Sequence, residues 1–114
     1  RLQCQAMGAP RTFEFDRVFT DTASQVEVFE DVSQLVTSAL DGYNVCIFAY
    51  GQTGAGKTHT MEGPKSDPGI NYRTMEELFR SINDERPDNS YEISCSMVEI
   101  YNEAVHDLLD DSSH

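Results

Sequence analysis

Lysine is scarce in this chain: Lys57 and Lys65 are the only two, and with the arginines they make eight basic residues against twenty acidic ones, a net charge of −12. No basic stripe is available to a polyanion, which disfavours nucleic acid, an anionic membrane or any other acidic surface as a partner of this stretch alone. A solvated acidic face accounts for most of the excess. Long apolar runs are missing too, and none approaches the roughly 18 residues of a membrane span. Cysteine is sparse and odd in number. Cys4, Cys46 and Cys95 lack metal-ligand spacing, so a reducing, cytosolic setting is expected, and zinc or disulfide chemistry is a poor second. The start, RLQCQAMGAP, has neither an initiating Met nor the pattern of a signal peptide, and reads as part of something longer. With 114 residues there is room for one small domain and not two. Internal repeats and interdomain linkers are not evident.

What is present centres on Gly51 to Thr58, GQTGAGKT, which fits G-x-x-x-x-G-K-[ST] at each specified position. A triphosphate must be wrapped by backbone N–H groups without side chains in the way, and Gly51, Gly54 and Gly56 allow that approach. Gln52, Thr53 and Ala55 complete the loop. Lys57 is a flexible point charge for the outer phosphates and the one catalytic candidate, while the Thr58 hydroxyl is placed to ligate a phosphate-bound Mg²⁺. His59, one residue on, is expected near a base or ribose, with plain packing as the alternative. The apolar run Val45 to Tyr50 predicts a central parallel strand before the loop, and Lys57 to Met61 can begin a helix. Strand, glycine loop and helix in that order outweigh the alternative of a glycine-rich turn that happens to contain Lys and Thr, a match expected by chance in roughly a few sequences per thousand.

Around this loop, residues 1–11 read as a tail or severed strand. Thr12 to Phe19 alternates as a half-buried strand, with Arg17 expected in a salt bridge. Ser24 and Glu27 form a capping box for a helix whose apolar face carries Val28, Phe29, Val32, Leu35, Val36, Ala39 and Leu40, stopped at Gly42 and expected to cover the sheet. Glu62 to Gly69 is too rich in Gly and Pro for helix and predicts a surface insertion. A second helix is expected from Thr74, with Thr74 and Glu77 in capping-box register and Met75, Leu78, Phe79 and Ile82 on one face. Asn83 to Ser90 reads as a polar loop, Tyr91 to Tyr101 as a long strand, and Asn102 as the cap of a final short helix carrying Val105, Leu108 and Leu109. Hydrolysis needs more than a phosphate loop. The last strand ends without an Asp, and Glu99 and Glu103 are weak substitutes for one. His106 and His114 read as surface residues.

The stretch FAYGQTGAGKTHTMEG, Phe48 to Gly63, resembles the phosphate loop of kinesin motor domains with its flanks. FEFDRVF (Phe13 to Phe19), GINYRTMEELF (Gly69 to Phe79) and VEIYNEAVHDLL (Val98 to Leu109) are similar to three further kinesin segments, and the NYRT wording leans toward the minus-end-directed, carboxy-terminal-motor subfamily. The resemblance implies an α/β, partial P-loop NTPase fold with a central sheet and flanking helices, truncated at both ends, with residues 1–114 as a partial motor domain. It implies ATP and Mg²⁺ as ligands: Gly51 to Thr58 on the phosphates, Lys57 on the transferring phosphoryl group, Thr58 on the metal and His59 beside adenine. It further implies microtubules as partner, a cytoplasmic, cytoskeletal location, and ATPase-driven movement in the full-length protein. The R-x-R-P strand, both switch loops and the basic track-binding face of kinesins are absent from these residues, and Ser112-Ser113-His114 only superficially echoes the first switch. This stretch alone is therefore expected to be inactive and to meet microtubules only through downstream elements. A truncated nucleotide-binding module without hydrolysis or motility is the alternative.

Overall fold

The computed structural model describes residues 1–6 and 9–110. Met7 and Gly8 of the amino-terminal stretch, and the Ser112 to His114 echo, lie outside the described residues. Chain order is strand β1 (Leu2–Ala6), strand β2 (Ala9–Phe13), helix α1 (Gln25–Leu40), helix α2 (Lys57–Met61), helix α3 (Ile70–Arg80), a π-helical turn over Ser81–Glu85, and strands β3 (Val98–Tyr101) and β4 (Ala104–Asp107).

Helix α1 forms as its sequence dictates. Ser24 Oγ accepts from Glu27 N at 3.2 Å while Glu27 Oε2 accepts from Ser24 N at 2.7 Å, closing the capping box. At the other end Gly42 takes φ +96°, a left-handed conformation that turns the chain out of the helix. Arg86 reaches back to this end, donating to Leu40 O at 3.1 Å and to Asp41 Oδ1 at 2.5 Å. The expected salt bridge of Arg17 is found with Asp31, at 3.3 Å, and its guanidinium also lies 5.6 Å from the centre of the Phe19 ring.

The partner of α1 differs from expectation. It packs against α3 rather than across a sheet, and Val36 and Ile70 are the buried apolar residues among those described, joined by the buried polar Gln25 and Ser81. Leu35 and Ala39, expected on the packed face, are exposed. Helix α3 begins at Ile70, four residues before the expected Thr74, with Gly69 as N-cap and no side-chain cap. Thr74 therefore sits inside the helix with a buried Oγ1 that lacks a hydrogen-bond partner, and the expected Thr74–Glu77 box does not form. Glu77 instead pairs with Arg80 at 2.6 Å, which holds its carboxyl below the usual range. The start of the expected 83–90 loop is drawn into the π-helical turn.

Strand expectations are corrected in part. Of the two readings of the amino-terminal stretch, tail or strand, the strand is found: β1 pairs antiparallel with β2, Leu2 opposite Phe13 and Cys4 opposite Arg11, with Pro10 tolerated because a two-stranded ribbon has only edges. The ladder stops at Phe13, short of the expected Phe19. The expected 91–101 strand is laddered only from Val98 to Tyr101, and the expected helix after Asn102 is strand β4. Asn102 and Glu103 take φ +50° and +64°, the two left-handed residues of a tight primed hairpin turn, which sets Ile100 opposite Val105 and Glu99 opposite His106. Leu108 N then donates to Met97 O at 2.8 Å, lengthening the ribbon.

Val45 to Tyr50, expected as a central strand, joins no ladder among the described residues. A strand exists only through its neighbours, and here Phe48 and Tyr50 are 87% and 100% exposed. The described ladders are two separate two-stranded ribbons. A closely packed chain of 114 residues has a radius of gyration of about 13 Å. This chain measures 17.8 Å, because its ribbons and apolar segments stand away from the α1–α3 pair.

Candidate functional site

The glycine loop lies between residues 45–50 and α2, in the anticipated order. Gly54 and Gly56 take φ +80° and +97°, and a Cβ at either would meet no atom within 4 Å. Backbone conformation rather than space therefore demands glycine there. Ala55 N donates to Gln52 O at 3.1 Å, tightening the loop, whereas the N–H groups of Gly54, Gly56, Lys57 and Thr58 make no backbone bond among the described residues. No side chain caps the start of α2.

Lys57 curls back over the loop. Its Nζ donates to Gly51 O at 2.8 Å and to Gln52 O at 2.9 Å, so the ammonium is held against the start of the loop by two neutral carbonyls. An anionic phosphate oxygen is a stronger acceptor and would compete for the same protons. Thr58 and His59 follow on α2 with exposed side chains, while Gln52, Thr53 and Ala55 are exposed along the loop. A cation flanked by unspent amides and a free hydroxyl is the donor set that a nucleotide phosphate with Mg²⁺ requires. Glu99 and Glu103 lie on the β3–β4 hairpin, and among the described residues no group of three or more His, Cys, Asp or Glu could hold a metal ion. Cys4, Cys46 and Cys95 are free thiols.

Two elements around the loop were only partly legible. The predicted insertion at 62–69 is ordered: Gly69 N donates to Glu62 O at 2.8 Å, and Arg73 clips the segment through Pro68 O at 2.7 Å and Asp67 Oδ1 at 2.8 Å. Gln25, the first residue of α1, was not singled out by sequence. It is 6% exposed, and its Nε2 donates to His59 O at 2.5 Å across 34 residues. A first-turn glutamine beside a capping box carries no pattern that distinguishes it from a solvated one.

Comparison with known proteins gives a single answer. The family described as the kinesin motor domain matches residues 2–114. The chain is 57% identical over 101 residues to the kinesin-like protein KIN-14E of Oryza sativa subsp. japonica, covering 89% of this chain and 9% of that protein. Other KIN-14 proteins of rice and Arabidopsis thaliana match at similar identity. Among solved structures, a kinesin whose mutants reveal a signalling pathway for activation of the motor ATPase superposes with a TM-score of 0.81 at 48% identity, covering 89% of this chain and 32% of that one. A KIF14 motor with ADP in complex with a microtubule superposes with a TM-score of 0.68 at 38% identity, covering 91% and 31%. The backbone path is thus similar to that of a P-loop motor domain even where central ladders are not closed, and the chain spans about a third of the solved motors it resembles.

Proposed function

From the premise that this chain belongs to the kinesin motor-domain family, we propose that it is the ATP-binding portion of a microtubule motor, in which ATP hydrolysis drives movement of the full-length protein. The observation that carries this reading is the position of Lys57, whose ammonium is pinned to the Gly51 and Gln52 carbonyls of a loop with left-handed Gly54 and Gly56. In the proposed complex the unspent amides of the Gly51 to Thr58 loop, those of Gly54, Gly56, Lys57 and Thr58 among them, cradle the phosphates, and Lys57 neutralises charge on the outer phosphoryl group as it transfers. Thr58 offers its hydroxyl to Mg²⁺, which when bound supplies charge neutralisation between the phosphates, and His59 stands at the nucleoside side. The carboxylate and water-positioning groups of hydrolysis, and the surface that grips the track, are assigned to residues outside these 114. That division agrees with the net charge of −12, which by itself repels an acidic track.

The test is ATP binding and microtubule-stimulated ATPase in the full-length protein, with Lys57→Ala beside the wild type. Loss of both activities in the variant is expected. Nucleotide binding that survives Lys57→Ala, or a wild-type ATPase indifferent to microtubules, would refute the corresponding half of the proposal. ATP binding without any turnover would favour a nucleotide-binding module.

A further inference from the structure

Helix α2 has only five residues, too few to be stable alone, yet it carries Lys57 and Thr58. Its direction must be fixed from outside, and its carboxyl end shows how. A helical carbonyl at His59 would take its hydrogen bond from the N–H three to five residues ahead. Glu62 N makes the ordinary helical bond to Thr58 O at 2.8 Å, and Gly63 N, the regular helical donor to His59 O, goes to the same Thr58 O at 3.1 Å. The next residue, Pro64, has no N–H to give. His59 O is therefore left without a backbone donor, and a carbonyl so placed and partly withdrawn from water costs free energy unless something else bonds it.

Gln25 supplies that bond. Its carboxamide is buried at the start of α1, and Nε2 reaches His59 O at 2.5 Å. The junction is closely fitted: a Cβ at Gly63 would come within 3.0 Å of the same Nε2, and one at Gly69 within 2.5 Å of Thr60 O. The bond places Gln25 on the carboxyl side of α2, and it ends on the helix that carries Lys57 and Thr58.

We propose that Gln25 is a positioning residue for the phosphate-binding site, its carboxamide tying the carbonyl end of α2 to α1 and so fixing the approach of Lys57 and Thr58 to a nucleoside triphosphate. This rests on the nucleotide reading above. The test uses the full-length protein with Gln25→Met, which keeps the length and removes the donor, and Gln25→Glu, which presents a carboxylate to the carbonyl. KM for ATP is expected to rise about tenfold in both, as for loss of a buried carbonyl's partner, with kcat at saturating ATP changed less than about threefold. A role confined to stability would lower the melting temperature and leave KM of the folded fraction unmoved. If Lys57→Ala abolishes binding while both Gln25 variants keep the wild-type KM, the positioning role is refuted and the nucleotide reading stands. A wild type that binds no ATP overturns both. Failure of both variants to fold makes Gln25 a folding residue, and overturns the positioning role as well.

Discussion

Arg73 gives the sharpest quantitative expectation outside the site. Its Nε donates to Pro68 O at 2.7 Å, and its NH2 group donates to Asp67 Oδ1 at 2.8 Å, with the arginine side chain 21% exposed and the aspartate 46% exposed. A charged donor on a neutral carbonyl in this half-buried setting contributes about 1.5 kcal/mol. The ion pair, discounted for solvent screening, adds about 0.5 kcal/mol. Arg73→Met removes both, and the sum of about 2 kcal/mol corresponds to a roughly 30-fold shift in the opening equilibrium of residues 62–69. The effect should be local, because the clip spans a surface segment whose ends are otherwise closed by the bond from Gly69 N to Glu62 O. Native-state hydrogen exchange on the full-length protein reads it directly. Exchange at the amides of Asp67 and Gly69 should accelerate about 30-fold while α1 amides hold their protection. Unchanged exchange at Gly69, or an acceleration shared equally by α1, would refute the assignment of Arg73 as a local clip.

Two further expectations concern caps and turns. Ser24→Ala should cost about 1 kcal/mol by thermal denaturation, because the cap accepts from Glu27 N. The bonds from Ser24, backbone first and then side chain, hold the Glu27 carboxyl below its ordinary value of 4.5, so its stabilising contribution is complete above that value and is lost as pH falls through the lower folded pKa. Ser24→Ala removes the side-chain bond and keeps the larger backbone one, so it should flatten the acid limb of the stability curve below pH 4.5 only in part, and a limb steeper than the wild type's would contradict it. Glu103→Gly should stabilise the β3–β4 hairpin by about 1 kcal/mol, since φ +64° is strained for a residue with a Cβ and Asn-Gly is the favoured pair for this turn. A lower melting temperature would count against the turn geometry.

What could be read from sequence was whatever is written locally. The glycine loop, the Ser24–Glu27 box and the stop at Gly42 each declare themselves within a few residues, and each is in place. The start of α3 was missed because Gly69, its N-cap, has no side chain to announce the role. The β3–β4 hairpin was mistaken for a helix because asparagine serves both as a helix cap and as a left-handed turn residue, and the neighbours of Asn102 do not separate the two. The Gln25 contact was invisible for a different reason. The deficit at His59 O arises because Gly63 N bonds Thr58 O instead, which no local pattern announces, and which side chain makes it good depends on how α1 lies 34 residues away.

Several of the ties that hold this structure have a side chain at one end only. Gln25 bonds His59 O, Lys57 bonds Gly51 O and Gln52 O, Arg73 bonds Pro68 O, and Arg86 bonds Leu40 O. A carbonyl is supplied by every residue type, so the accepting position is free to change its side chain without breaking the bond. Sequence drift is thus restrained at the donor and unrestrained at the acceptor, and such ties leave no correlated pair of substitutions between relatives. A search for residues that change together would pass over the bond that orients α2, whereas Arg73 and Arg86, which also pair with the carboxylates of Asp67 and Asp41, have a side chain at each end to leave a trace.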